Sequence, residues 1–323
     1  MSEDNSVNFE DHEFKEPSLS EGLVLYFHPN NFHSLKILFI LYEKHINFTP
    51  YVLNLANGEQ YSHWFLNKNP KGDVPVLQDN AFVIPNSLSI INYLEGKFKG
   101  EKHPALIPID KKSTEYTKLV MYEDILSKLP IGALSLGSFV HEDFRLNPKP
   151  PFIGHIRQAC VENNEKVYEI LKKSVDKASD YHKNTLLAKL SLQDKRKELV
   201  YSKVHFQCVV DKLEEVLKQF EKELEEGPDR DWLLSSEFYS VDVSFGLLLH
   251  RLWNLGFEDY FWENGKLPKT SQYFSRFQKR QVFKKLMPSN VGVLTNMWLN
   301  TPTHYKLGAG AIGMAIVAAI VHK

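Results

Sequence analysis

Nearly all the strand signals in this chain fall before Pro108, and the remainder of the chain reads as helix. Residues 23–27 (LVLYF) form a short apolar run of strand type. HPNNFH breaks the run, and Ser34 opens SLKILFILYEKH, whose Leu35, Ile37, Leu38 and Leu41 suit a helix packed on a sheet. A second strand falls at 48–53. Residues 74–78 and 81–84 flank Asp79-Asn80, a pair that tolerates positive φ and so reads as a hairpin turn. Ser87 then caps a helix that runs to residue 98. Strand, helix, strand, hairpin and helix within about 75 residues is the order of a small α/β domain.

Beyond Pro108 helical periodicity covers 111–129, 155–175, 194–226, 241–255 and 269–286, and Gly227-Pro228-Asp229 stops the third of these. Residues 147–194 are dense in Lys, Asp, Glu and Asn, with an apolar thread at Val167, Ile170 and Leu171; a solvated helical excursion accounts for them. The expected organisation is a disordered arm at 1–20, an α/β domain at 21–102 and an all-helical domain at 110–288 carrying an inserted loop at 147–194. A hydrophobic connector at 289–304 and an apolar tail at 305–323 complete it.

Composition narrows the partners. The 323 residues carry a net charge of -1, so no basic surplus exists to hold a phosphate backbone, and nucleic acid is excluded as a partner. Two cysteines, Cys160 and Cys208, are too few for a disulfide framework and fit a reducing compartment. The acidic, polar first 20 residues resemble neither a secretory signal nor a mitochondrial presequence. His28 and His33 have no cysteine or carboxylate cluster beside them, so no metal is expected.

The tail holds two competing signals. Gly308, Gly310 and Gly313 spell G-x-G-x-x-G, but only ten residues come after Gly313, without the helix and acidic residue that a dinucleotide site needs. The other signal is fifteen uncharged residues, 307–321, framed by Lys306 and Lys323. As a helix they span roughly 22 Å against a hydrocarbon core of about 30 Å. Leu307, Ile312, Ile316, Val317, Ile320 and Val321 supply the apolar surface of a marginal membrane anchor. A buried terminal helix is the alternative, which the glycine content disfavours.

Asp73-Val74-Pro75-Val76-Leu77 followed by Asn86-Ser87 at a helix start resembles the N-terminal domain of the glutathione transferases, a thioredoxin-like fold. The resemblance implies a cis bond before Pro75, a Val74 backbone that pairs with glutathione, and a Ser87 hydroxyl that holds the γ-glutamyl carboxylate at a helix N-terminus. It places a glutathione-like pocket at His33, Ser34, Val74, Pro75, Asn86 and Ser87, and glutathione is the one ligand implied, with no other cofactor. FYSVDVSF at 238–245 is similar to the family's capping box, with Asp242 at its inner position. HRLWNLGF at 250–257 and WENGKLP at 262–268 narrow the resemblance to the ganglioside-induced differentiation-associated protein family. That branch implies an inserted helical loop, a hydrophobic segment at 291–299 and a tail anchor in the mitochondrial outer membrane, with peroxisomes as a second address. The bulk of the protein then faces the cytosol as a homodimer and influences mitochondrial fission, through partners in the fission machinery or the cytoskeleton.

Transferase chemistry needs a hydroxyl or thiol beside the glutathione sulfur, because the thiolate is the nucleophile. Here Asn31 falls where the family's thiolate-holding Ser lies and His33 where a Cys can occur, which leaves Asn31 and Ser34 as the catalytic candidates. Tyr26 lies in the first strand and is expected to point into the sheet. Asn86 is one methylene shorter than the usual Gln. Tyr239 takes the place of a capping Ser or Thr, a task Ser240 is expected to assume. Two readings result: a transferase scaffold with weak or absent activity, or an active enzyme that conjugates or reduces electrophiles at the membrane.

Overall fold

The computed structural model describes residues 14–18, 22–144 and 147–287. Its first half runs β1 (Leu23–Phe27), α1 (Phe32–Glu43), β2 (Thr49–Val52), α2 (His63–Lys68), β3 (Val76–Asp79), β4 (Phe82–Pro85) and α3 (Ser87–Lys97). The strands form one sheet in the order β2-β1-β3-β4. β1 and β2 are parallel across the α1 crossover, and the other pairs are antiparallel. Asn80 takes φ 52 in the expected hairpin turn. Alternation along β1 sorts the two faces: Leu25 and Phe27 join the large core that includes Ile37, Ile40 and Ile90, while Val24 and Tyr26 pack with Trp64 and Phe65 of α2. This is the thioredoxin-like domain expected.

The second half is helical: α4 (Thr114–Lys128), α5 (Ile131–Val140), α6 (His155–Lys177), α7 (Asp180–Tyr201), α8 (Lys203–Glu226), α9 (Ser240–Leu255), α10 (Glu258–Phe261), α11 (Pro268–Lys279) and α12 (Gln281–Leu286). α9 runs through the middle of it with almost every residue buried. Gly246 permits the close approach of α11, since a Cβ there would lie 2.4 Å from the Phe277 ring. Asp242 ties the start of α9, accepting from the backbone of Tyr239 at 2.8 Å and Leu233 at 2.9 Å and from the Tyr273 hydroxyl at 2.8 Å.

Several boundaries differ from the sequence reading. α1 begins at Phe32, two residues before Ser34, because Asn31 caps it. Asn86, not Ser87, caps α3. Tyr239 remains the N-cap residue of α9, and Ser240 is already inside the helix, where its hydroxyl turns to Glu123 at 3.0 Å. The single helix expected at 194–226 is broken at Ser202, whose extended backbone ends α7 and whose Oγ accepts from His205 N–H at 3.4 Å at the head of α8. α5 gave no amphipathic signal because eight of its residues are buried and it is apolar all round.

The largest correction concerns the insert. It is a hairpin of α6 and α7 reaching Tyr201, and instead of standing out in solvent it docks on the first domain. Leu171, Val175 and Leu186 close an apolar cluster with Leu66 of α2. Lys166 donates to Asn57 Oδ1 at 2.9 Å, and the His182 ring meets Asn67 at 3.2 Å. Of the arm expected at 1–20, residues 14–18 are described: Phe14 packs beside Val24 and Tyr26, and Glu16 pairs with Lys68 at 2.7 Å. The connector at 289–304 and the tail at 305–323, with all six anchor positions, lie outside the described residues. Among the described residues no helix is long and apolar enough to cross a membrane.

Candidate functional site

Strand register gathers the predicted pocket at one end of the sheet. Tyr26 pairs with Val76, and Val76 with Pro85, so the loop after β1, the Val74-Pro75 segment and the Asn86-Ser87 helix start lie side by side. The Val74–Pro75 bond is cis, as the family resemblance implies.

The loop after β1 is held by its own side chains. Asn31 Oδ1 accepts from Ser34 N–H at 2.9 Å, which caps α1. Ser34 is fully buried, and its Oγ accepts from His28 N–H at 3.3 Å. The Asn31 amide oxygen and the Ser34 hydroxyl are thus spent on folding the loop. His33 is partly buried, and burial together with the neighbouring Lys36 charge pushes its pKa below 6.5; burial does the same to His28. Both rings are therefore neutral at pH 7, and among the described residues no group of three or more His, Cys, Asp or Glu could hold a metal. Tyr26 is 2% exposed and donates to Gln78 Oε1 at 3.0 Å, with its pKa pushed up to about 12 by burial and Glu16. Its ring packs against Trp64 and Phe65 of α2.

At the opposite wall, exposed Asn86 adopts φ 66 and accepts from Ser89 N–H at 2.9 Å. Ser87 follows as the first residue of α3, partly exposed, its hydroxyl without a protein partner among the described residues. The free N–H groups of that first turn favour an anion.

Three supports of this site were not legible in the sequence. Lys189 of α7 donates to the carbonyls of Lys71 at 2.7 Å and Gly72 at 3.2 Å and to the Asp73 carboxylate, fixing the chain just ahead of Val74. Arg251 of α9 donates to the Asn30 carbonyl at 2.8 Å. Arg280 grips Glu43 at the end of α1 through two bonds of 2.8 Å. Each joins residues more than 100 positions apart, and a single sequence carries no signal for such pairs.

Residues 25–102 match the family described as glutathione S-transferase, N-terminal domain. Over 272 residues the chain is 27% identical to the human ganglioside-induced differentiation-associated protein 1-like 1, covering 83% of this chain and 74% of that one. It is 24% identical over 286 residues to the Arabidopsis thaliana glutathione S-transferase TCHQD, covering 87% and 94%. This is a glutathione transferase-like protein. Its fold is also that of solved transferase relatives. The β-etherase LigF of Sphingobium sp. strain SYK-6 superposes with a TM-score of 0.60 at 22% identity, over 82% of this chain and 98% of that one. Glutathione transferase F7 of Populus trichocarpa gives 0.55 at 18%, over 82% and 97%. In this glutathione transferase-like protein the α6–α7 hairpin adds a second brace between the domains, beside the packing of α1 on α9 and α12.

Proposed function

We propose that this glutathione transferase-like protein is a tail-anchored component of the mitochondrial outer membrane, with peroxisomes as a second address. In this reading it faces the cytosol, influences mitochondrial fission, and has weak or absent transferase activity. The observation that carries the catalytic part is the burial of Ser34, the one hydroxyl of the two candidates: it is fully buried and its Oγ accepts from His28 N–H at 3.3 Å. A sulfur on this loop would meet no exposed hydroxyl or thiol from either residue, which leaves the weaker amide N–H of Asn31 as the donor to a thiolate. The pocket then serves to bind a ligand or to hold the fold. The membrane part rests on the uncharged run at 307–321 and on the family resemblance. Homodimerisation is supported by the sheet edge at β4, where Phe82 is 73% exposed, and by Leu88 of α3, 58% exposed.

The second reading, an active transferase, is favoured by Ser87. A partly exposed hydroxyl on the first turn of α3, beside helix N–H groups, suits a γ-glutamyl carboxylate. Calorimetric titration of the full-length protein in detergent with glutathione, run beside a conjugation assay with an aryl halide, separates the two. The expected result is little or no turnover. Turnover that disappears in Ser87→Ala would overturn the first reading in favour of the second.

A further inference from the structure

The charge of this chain is divided along its length. Of its 39 Lys and Arg, nine lie in residues 264–323, where there is no Asp or Glu, so residues 1–263 carry 30 cations against 40 carboxylates. The net charge of -1 conceals an acidic body and a basic end. Folded surfaces ordinarily mix the two signs, and a block of one sign sets up a field that reaches beyond single contacts.

Seven of the nine cations fall on or beside α11 and α12. Three of them are committed to the protein itself. Arg280 grips Glu43, Arg276 donates to the Asp231 carbonyl at 2.9 Å, and Lys266 donates to the carbonyls of Asp259 at 2.9 Å and Tyr260 at 2.8 Å. Lys279, Lys284 and Lys285 are exposed, and among the described residues none of them has a carboxylate within ion-pairing distance. Lys285 lies over the Tyr42 ring at 4.1 Å. Two carboxylates packed against these helices are already occupied: Glu43 by Arg280, and Glu221 by the N–H groups of Lys269 at 2.8 Å and Thr270 at 2.7 Å. Tyr273, Phe274, Phe277 and Phe283 hold the inner side in the core, which leaves the lysines on the outer one. The helix dipole favours lysines in a last turn, but it does not account for a stretch of chain without a single carboxylate.

We propose that the outer side of α12, with Lys279, Lys284 and Lys285, rests on an anionic lipid surface. The inference rests on the tail-anchored reading above. Residues 288–306 join α12 to the uncharged run at 307–321 and contain no Asp or Glu. Fully extended they reach roughly 65 Å, so the fold can lie against the bilayer that holds its own tail, and α12 is the element next to the tether. Each lysine brought within a Debye length of anionic headgroups strengthens the contact about fivefold. The acidic remainder is repelled by the same headgroups, so the field orients the tethered fold with α12 towards the lipid.

Flotation of the full-length protein with vesicles of phosphatidylcholine, or of phosphatidylcholine with about one-third phosphatidylserine, tests this. Ile316→Arg is present throughout to weaken the tail, so that the face can be read apart from the anchor. The expected result is binding about tenfold or more tighter to the phosphatidylserine vesicles, a preference that shrinks in high salt. Adding Lys279→Gln, Lys284→Gln and Lys285→Gln should bring the two kinds of vesicle within about twofold of each other. Adding instead Lys212→Gln, Lys218→Gln and Lys222→Gln, at exposed lysines of α8, removes the same charge and should leave the preference intact. Equal binding of Ile316→Arg to both vesicles, a preference that survives the first triple change, or one that the α8 changes also abolish would overturn the proposal. Tighter capture by a polyglutamate peptide than by the vesicles would assign the face to an acidic protein and overturn it too. A protein with the native tail that fails to float with neutral vesicles would instead sink the anchor reading, which the comparison of the two triple variants does not measure.

Discussion

Lys36 of α1 and Glu123 of α4 form an ion pair of 2.6 Å, 8% and 9% exposed at their side chains, across the boundary between the two domains. Glu123 also accepts from the hydroxyls of Ser240 at 3.0 Å and Ser244 at 2.9 Å on α9. The carboxylate is thereby satisfied from three sides, which is the condition under which a buried pair is tolerated. Removing one partner strands the other, so Glu123→Leu is expected to lower stability by about 3–5 kcal/mol. Lys36→Met/Glu123→Leu together should cost less than that single change. Urea unfolding curves of the two variants check this, and a double variant less stable than Glu123→Leu would count against it.

The Lys189 contact makes a local prediction. Lys189→Met removes a cation from two carbonyls and the Asp73 carboxylate. Amide exchange in residues 71–77 should accelerate while that of α9 stays unchanged, because the loop loses its clamp without loss of the helical core. Unchanged exchange at 71–77 would show that the apolar contacts around Leu66 suffice to hold the loop.

Acid should weaken this fold through His250. Its Nδ1 is buried without a partner, its Nε2 meets Asn254 at 3.0 Å, and burial with neighbouring Arg251 pushes its pKa down from 6.5 to about 3. The unfolded chain takes up this proton near pH 6.5 and the folded chain does not until about pH 3. The stability contributed is therefore present above 6.5 and lost as pH falls towards 3, with a limiting slope of about 1.4 kcal/mol per pH unit. Asp242 runs the other way: burial raises its pKa from 3.8 to about 6, so its contribution is present below 3.8 and lost as pH rises through 6. Relative to the wild type, His250→Gln should be more stable at pH 4.5 than at pH 7.5. An equal difference at the two pH values would rule out this assignment.

The proposed anchor is short enough for a single charge to matter. Ile316→Arg should cost about 2.5–3.5 kcal/mol at the bilayer centre and release the protein to the soluble fraction of cells. Retention in the membrane pellet after carbonate washing would argue that the tail does not hold the protein there.

Much of the first domain could be read from local pattern. The run 23–27, the Asp79-Asn80 turn and the V-P-V-L segment before a capped helix each depend on neighbours a few residues away, and all three appear in the structure. The pocket candidates lie side by side for the same reason: they belong to loops whose positions are set by the strand order. Its chemistry was only half legible. Asn31 and Ser34 stood where catalytic residues would, yet whether they face a ligand or each other depends on the start of α1, two residues earlier than periodicity suggested.

The insert shows the opposite case. Charge density between 147 and 194 read as solvent exposure, because Lys166, Lys189 and Arg196 look alike in sequence whether they meet water or another domain. Local residue order by itself determined the two-domain division and the thioredoxin-like order of elements, since these arise from patterning. Only the tertiary structure decided that Lys189 clamps the pocket loop and that Lys36 meets Glu123. Those are distances between residues far apart in the chain, and folding alone brings them together.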